Sequence, residues 1–350
     1  MAKKQKQLRI GIIGAGMYAC TAHMPVFQKY DNVKVAAVCR KHKHRLREFC
    51  KMFNISKGYI DCDEMLEKEK LDGVLVASPH YYHHEHVMAC LERNLPVLVE
   101  KPMTIKATHA RQIVKTSNEN DLPVIVGFNR HYWANYCLAK KMIEEEQVGT
   151  LRYISARWVG DIDWALARTD PPGYFRQKAF YKDDDPPNFR GDTKLAGGGM
   201  FIDGGSHMID AMLWLTDLKP TSVFARMNNH EYQTDCDTSL SIAFDNTVLA
   251  SCTVQGATPT FKGHELYITG SKGTIYVDDY TVIYQLNGEK EVRVVDLPGD
   301  SCSTANFVHV LMGKDRSHSD AVDGLKTVIL IDTAYKSAQK GEPVEIKRWV

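Results

Sequence analysis

The apolar run Leu8-Arg9-Ile10-Gly11-Ile12-Ile13 ends directly in Gly14-Ala15-Gly16-Met17-Tyr18-Ala19, and no other junction constrains the fold of this chain as tightly. A short buried strand delivers the backbone to a turn whose first Gly permits the bend. The second Gly lets a ligand reach the backbone, and the small third residue lets the next helix pack close to the strand. Amides at the start of that helix then favour an anion in the turn. Glycines at this spacing also mark ordinary turns, so the context decides. Strand-like apolar runs recur at residues 33–39, 73–78, 96–100 and 123–128, with helical patterns between them. This alternation predicts an α/β fold, a Rossmann-type doubly wound parallel sheet. Gly14, Gly16, Met17 and Tyr18 are the candidates for holding a dinucleotide diphosphate.

The end of the second strand narrows the cofactor. An acidic residue about 20 positions beyond the fingerprint marks an NAD site, because it binds the adenosine ribose hydroxyls. The chain has Cys39-Arg40-Lys41-His42-Lys43-His44-Arg45 there. Guanidinium and ammonium groups suit a 2′-phosphate, so Arg40 and Lys41 favour NADP. If this run is only a solvated helix start, NAD is the alternative.

A second segment, Ala196-Gly197-Gly198-Gly199-Met200-Phe201-Ile202-Asp203-Gly204-Gly205-Ser206-His207-Met208-Ile209-Asp210, carries apolar residues at helical spacing after its glycines. One continuous helix is predicted, with Asp203, His207 and Asp210 within about 40° of one face. Gly204 and Gly205 fall in its interior, where each costs about 1 kcal/mol against Ala. Something is expected to approach that backbone closely.

Bulk properties exclude several classes of partner. Lys plus Arg number 44 and Asp plus Glu 43, a net charge of +1, which points to neither nucleic acid nor an anionic membrane. There is no run of 18 apolar residues, and the Lys3, Lys4, Lys6, Arg9 cluster is not followed by a signal-type apolar stretch. Nine cysteines, odd in number and without a CxxC pair, suggest reduced thiols and a cytoplasmic location.

The strand ending Val97-Leu98-Val99 continues as Glu100-Lys101-Pro102. Together with the fingerprint and the Gly-Gly-Gly-x-x-x-Asp-x-Gly-x-His segment, this resembles the glucose–fructose oxidoreductase/inositol dehydrogenase/MocA family over essentially the whole chain. Ser78-Pro79-His80-Tyr81-Tyr82-His83, Val126-Gly127-Phe128-Asn129-Arg130 and Gly270-Ser271-Lys272-Gly273-Thr274-Ile275 resemble further pieces of its pattern. The resemblance implies a Rossmann domain over residues 1–130. It also implies a C-terminal substrate-binding and oligomerisation α/β domain over 131–350, with a large, mainly antiparallel, open-faced sheet. A homodimer or homotetramer is implied as well. Strand patterns at 222–226, 239–244, 247–254, 265–268 and 274–277, then a helix near 321–339, agree with it.

The resemblance also implies roles. Ser78, Pro79, His80, His83, Glu100, Lys101 and Asn129 fall to the cofactor; Lys101, Asp203 and His207 fall to catalysis and substrate. On chemical grounds His207 suits a general base for an alcohol losing hydride. Lys101, just past a buried strand, can polarise the same oxygen, with Glu100 offsetting its desolvation; the two roles can be exchanged. Asp210 reads as structural. A metal held by Asp203, His207 and Asp210, or by the histidines at 80–86, is the rival reading. No Cys lies near, and no HExxH occurs.

The stretch from Trp158 to Arg190 is rich in aromatics, Pro and charge. It is expected to cover the cleft with Trp164, Tyr174 and Arg176 against a sugar, or to form an oligomer arm. The leading expectation is an NAD(P)-dependent oxidoreductase for a secondary alcohol of a sugar, glycoside, inositol or similar polyol. A redox-neutral enzyme with tightly held cofactor, or a non-catalytic sensor, are the alternatives.

Overall fold

A computed structural model describes residues 6–161, 189–299 and 301–350. The first sheet contains β1 (Leu8–Ile13), β2 (Val33–Cys39), β3 (Gly58–Tyr59), β4 (Gly73–Val76), β5 (Val97–Val99) and β6 (Val124–Val126). Every pairing is parallel, in the order β3-β2-β1-β4-β5-β6. Strands β4, β5 and β6 are buried throughout, as a sheet covered on both faces demands. Alternate residues sort into two cores. Ile10, Ile12, Leu75, Leu98 and Ile125 face one way, whereas Ile13, Val74, Val76, Val99 and Val126 face the other.

The second sheet contains β7 (Leu151–Val159), β8 (Pro220–Asn228), β9 (Asp237–Phe244), β10 (Leu249–Gln255), β11 (Gly263–Gly270), β12 (Gly273–Asp278), β13 (Thr281–Leu286), β14 (Val292–Val295) and β15 (Val344–Glu345). Its order is β14-β13-β12-β11-β7-β10-β9-β8-β15, antiparallel except where β7 meets β10. One face is covered by the helices Ala134–Glu144, Gly205–Thr216 and Ala321–Lys340. The strands accordingly alternate between buried and solvated residues.

The two sheets divide the chain near residue 130, but the helical layers do not follow that split. The helix Ser303–Leu311 returns to the first sheet and puts Phe307 and Val308 into one of its cores. The helix Ala321–Lys340 gives Ala321, Leu325, Val328 and Ile329 to the other core. Its next turns give Leu330, Ile331 and Ala334 to the core of the second lobe. Ser319, just before it, exchanges hydrogen bonds with both backbone groups of Val126, so the helix starts pinned to β6. Both helices, although they follow residue 131 in the chain, thus pack on the first sheet.

Two local expectations are corrected. The helix predicted to run unbroken through Gly204 is two pieces, Met200–Asp203 and Gly205–Thr216. A Cβ on Gly204 would lie 2.6 Å from the Trp158 indole, so the close approach inferred from the glycines is that ring. Trp158 itself belongs to β7 and is buried, rather than to a covering loop.

Candidate active site at the carboxyl ends of the parallel strands

The glycine turn shows why each of its glycines is there. Gly14 has φ 91°, and a Cβ on it would sit 2.3 Å from the Ser78 amide, so the turn after β4 closes against it. A Cβ on Gly16 would meet no atom within 4 Å. That bare Cα opens onto free space above the turn, which is the cradle a diphosphate needs. The following helix begins with a wide π-type turn, Ala19–His23. Arg40 donates a hydrogen bond from its guanidinium to the Ala15 carbonyl, bringing positive charge to the turn, while Lys41 is exposed. These residues fit a dinucleotide.

Around the turn, the sequence candidates separate into distinct roles. Met17 and Tyr18 follow Gly16, and Tyr18 stands edge-on to His23 at 5.6 Å. His23 Nε2 lies 3.0 Å from Glu100 Oε1, and its Nδ1 lies 2.7 Å from the Thr304 hydroxyl. Glu100 thus lies against a histidine of the fingerprint helix. Asn129 Oδ1 accepts from the Ser303 hydroxyl at 3.2 Å, and the Ser78 hydroxyl lies 2.9 Å from His86 Nδ1.

Pro79 leads into the turn His80–Tyr82. His80 donates Nδ1–H to the Ala196 carbonyl at 2.9 Å, so it braces the glycine-rich segment of the second lobe. His83 is fully enclosed, with its ring nitrogens 2.8 Å from Pro102 O and 2.7 Å from Ser78 O. The ring lies between two strand-end turns, and as a neutral imidazole it donates to one of the two carbonyls.

Lys101 and Asp203 are brought together across the lobes. Lys101 Nζ donates to Asp203 Oδ1 at 2.8 Å and to the Asp203 carbonyl at 2.9 Å. Arg190, missed by sequence reasoning, donates through Nε to Asp203 Oδ2 at 2.7 Å. Burial alone would raise the Asp203 carboxyl. The Arg190 and Lys101 charges outweigh it and hold the group well below the usual carboxylate range. With its oxygens committed to two cations, Asp203 is poorly disposed toward a divalent metal. Among the described residues, no three His, Cys, Asp or Glu are arranged to hold one.

His207 lies one turn beyond Asp203. Its Nδ1 is buried and has no hydrogen-bond partner among the described residues. The ring meets Phe128 edge-on at 6.2 Å and His264 at 5.6 Å. Burial, then the charges of Arg130 and Lys101, push its pKa well below 6.5, so it is neutral at pH 7. An unpartnered buried nitrogen is an uncommon cost in a native structure. Asp210 faces elsewhere: His131 Nε2 bonds it at 3.0 Å while Trp214 stacks on that ring. Trp164, Tyr174 and Arg176 lie outside the described residues.

The glycine-rich entry to this helix is built by Asp235, which no sequence signal marked. Its carboxylate accepts from the Gly199 amide at 2.7 Å and the Phe201 amide at 2.9 Å. Tyr335 OH donates to the same carboxylate at 2.7 Å. A Cβ on Gly199 would lie 1.9 Å from the Asp235 carbonyl, so only glycine fits.

Comparison with known proteins decides the lineage. Residues 8–128 match an oxidoreductase family with an NAD-binding Rossmann fold, and residues 136–276 match the GFO/IDH/MocA C-terminal domain. The chain belongs to the Gfo/Idh/MocA family. It is 25% identical over 344 residues to myo-inositol 2-dehydrogenase of Thermotoga maritima, covering 96% of this chain and 90% of that protein. It is 25% identical over 234 residues to D-glucoside 3-dehydrogenase of Escherichia coli, covering 66% and 60% respectively. Levoglucosan dehydrogenase, in complex with NADH and levoglucosan, shares the fold with TM-score 0.83 at 16% identity, over 97% of this chain and all of that one. As a Gfo/Idh/MocA protein the chain is an NAD(P)-dependent oxidoreductase whose relatives act on sugars and inositol.

The two kinds of glycine separate experimentally. Gly16→Ala will leave the melting temperature within about 2 °C of wild type but weaken dinucleotide affinity by about tenfold or more in a fluorescence titration. Gly199→Ala will cost about 2 kcal/mol or more in urea unfolding. Equal loss of stability in both variants refutes the open cradle at Gly16.

Proposed function

We propose that the protein transfers hydride between a nicotinamide cofactor and a secondary alcohol or ketone of a sugar, glycoside, inositol or similar polyol. The observation that carries this reading is the Lys101–Asp203 pair joined across the lobes just past β5, with a His207 that burial and the charges of Arg130 and Lys101 keep neutral, in a chain whose glycine turn is open at Gly16. The relatives acting on myo-inositol and on D-glucosides support the substrate class.

Nicotinamide, when bound, supplies the hydride acceptor or donor. The chain supplies the proton handling. His207, kept neutral by burial and by nearby cations, accepts the hydroxyl proton as the carbinol carbon loses hydride. Lys101 donates a hydrogen bond to the same oxygen, stabilising charge that builds there. Asp203 fixes the lysine through its carboxylate and its carbonyl, and Arg190 fixes Asp203. In the reducing direction His207 returns the proton. Trp164, Tyr174 and Arg176 are proposed as sugar contacts on composition alone.

The test is reduced-nicotinamide absorbance on mixing the protein, cofactor and a panel including myo-inositol and D-glucosides. His207→Asn and Lys101→Met will each lower kcat by about 100-fold or more. In the oxidative direction, kcat/KM will fall only at a pH below 6.5, because protonation of His207 is already disfavoured. Lys101→Met removes one of the charges that depress His207 and will therefore move that acid limb upward. A limb unmoved in the variant contradicts His207 as base.

We further propose NADP as the preferred cofactor, because the Arg40 guanidinium lies against the glycine turn at the end of β2. Arg40→Asp will weaken NADPH binding by about tenfold or more and improve NADH binding; an unchanged ratio of the two dissociation constants refutes it.

The uncovered face of the second sheet supports a homo-oligomer, dimer or tetramer, in a reducing cytoplasm. Tyr153, Tyr267 and Leu249 are 41%, 44% and 50% exposed there, with Tyr153 paired to Leu249 across β7 and β10. The nine cysteines are thiols. Sedimentation analysis will give a multiple of the 39.6 kDa chain mass that Tyr267→Arg with Leu249→Arg reduces. A monomeric wild type refutes the interface.

A further inference from the structure

At the break between Asp203 and Gly205 side chains add to the backbone bonding: the Gly204 carbonyl accepts from the His207 amide at 3.3 Å, and side chains near and far in sequence donate to it and to its neighbour. Lys101 Nζ and the Ser206 hydroxyl, each at 2.9 Å, both donate to the Asp203 carbonyl. His264, on β11, has Nε2 at 3.2 Å from the Gly204 carbonyl. Its Nδ1 lies 2.5 Å from Arg130 Nη2. A carbonyl only accepts and a guanidinium only donates, so the ring must carry its proton on Nε2 and present a lone pair at Nδ1. The Asp279 carboxylate, 3.3 Å from Nδ1, is then no partner of the imidazole. It instead binds Arg130, at 2.8 Å and 3.2 Å from Oδ1. Trp133 lies under the guanidinium at 4.6 Å.

We infer that His264 is a positioning residue for His207, acting through the Gly204 carbonyl and the edge-to-face contact of the two rings, with its tautomer imposed by Arg130 from the first lobe. The chain Asp279–Arg130–His264–Gly204 crosses the lobes behind the site, so the orientation of His207 depends on residues that touch no reactant. Burial, with the Arg130 charge beside it, holds the His264 pKa at about 4 against the pull of Asp279, which keeps the ring a neutral, fixed donor. The charged groups bearing on His207 are Arg130, Lys101 and Asp203, with His264 the titratable neighbour. This inference rests on His207 being the base proposed above.

The test uses full-length, histidine-labelled protein saturated with NADPH. Long-range proton–nitrogen spectra will show His264 as the Nε2–H tautomer, not titrating between pH 6 and 9. In His264→Phe, which keeps a ring but no donor, the His207 resonances will move. In His264→Gln, whose amide restores a donor toward Gly204, they will return toward wild-type positions. With whichever panel substrate the wild type turns over, His264→Phe will lower kcat by about 100-fold with KM nearly unchanged. The glutamine variant will recover most of that loss. A titrating or Nδ1–H His264, or His207 signals indifferent to His264→Phe, overturns the inference. Should the wild type turn over nothing on the panel, the proposed reaction fails while the tautomer and the His207 signals still judge the positioning role.

Discussion

One helix, Ala321–Lys340, belongs to two hydrophobic cores at once, and the meeting of the two lobes depends on it. Its first half seals a face of the parallel sheet; its next turns seal the underside of the large mixed sheet. Close-packed interiors are not continuously deformable, so a rod embedded in both fixes their relation more firmly than a polar seam would. The Asp320–Asp323 capping box and the Ser319–Val126 exchange anchor its start to β6, whose end leads to Asn129, Arg130 and His131. Through that geometry a lysine after β5 reaches a carboxylate some 100 residues away.

Electrostatics at the meeting point favour one protonation pattern. Two cations on one carboxylate leave an excess of positive charge around Asp203. That excess, together with Arg130 and burial, disfavours a charged His207. A neutral imidazole next to an ammonium is the state from which a hydroxyl proton can be taken while the oxygen is stabilised by a donor. If Asp203 were neutral, the lysine would lose its anchor and the histidine its nearest negative charge. The carboxylate therefore bears on the charge state of both neighbours.

The parts of this design that could be read from the chain are those written in short stretches. The glycine fingerprint, the Glu100-Lys101-Pro102 turn and the spacing of Asp203 and His207 each declare themselves within a few residues. The five main parallel strands and most of the second sheet were legible because burial imposes a period on neighbours. Arg190, His264, Asp235 and His23 were not, because each acts on a group brought near only by tertiary folding. The contact of Glu100 with His23 was not legible for the same reason, since the two lie 77 residues apart. Nor was the placement of His83, whose ring sits between the carbonyls of Ser78 and Pro102. Helical periodicity also ran through Gly204 unbroken; the glycines signalled a close approach, but that Trp158 of β7 makes it is settled only by tertiary folding.

The glycines give a sharper lesson, because the same residue type is required for opposite reasons. At Gly199 and Gly204 a side chain is forbidden by protein already present, the Asp235 backbone and the Trp158 indole. At Gly16 nothing present forbids one. Gly16 lies just before the first helical residue, a position where glycine is well tolerated, and its bare Cα leaves the space above the turn open. The sequence patterns separate the fingerprint glycine from those of the second lobe, and the geometry gives the physical reason: packed atoms forbid a side chain at two of them and leave open space at the third.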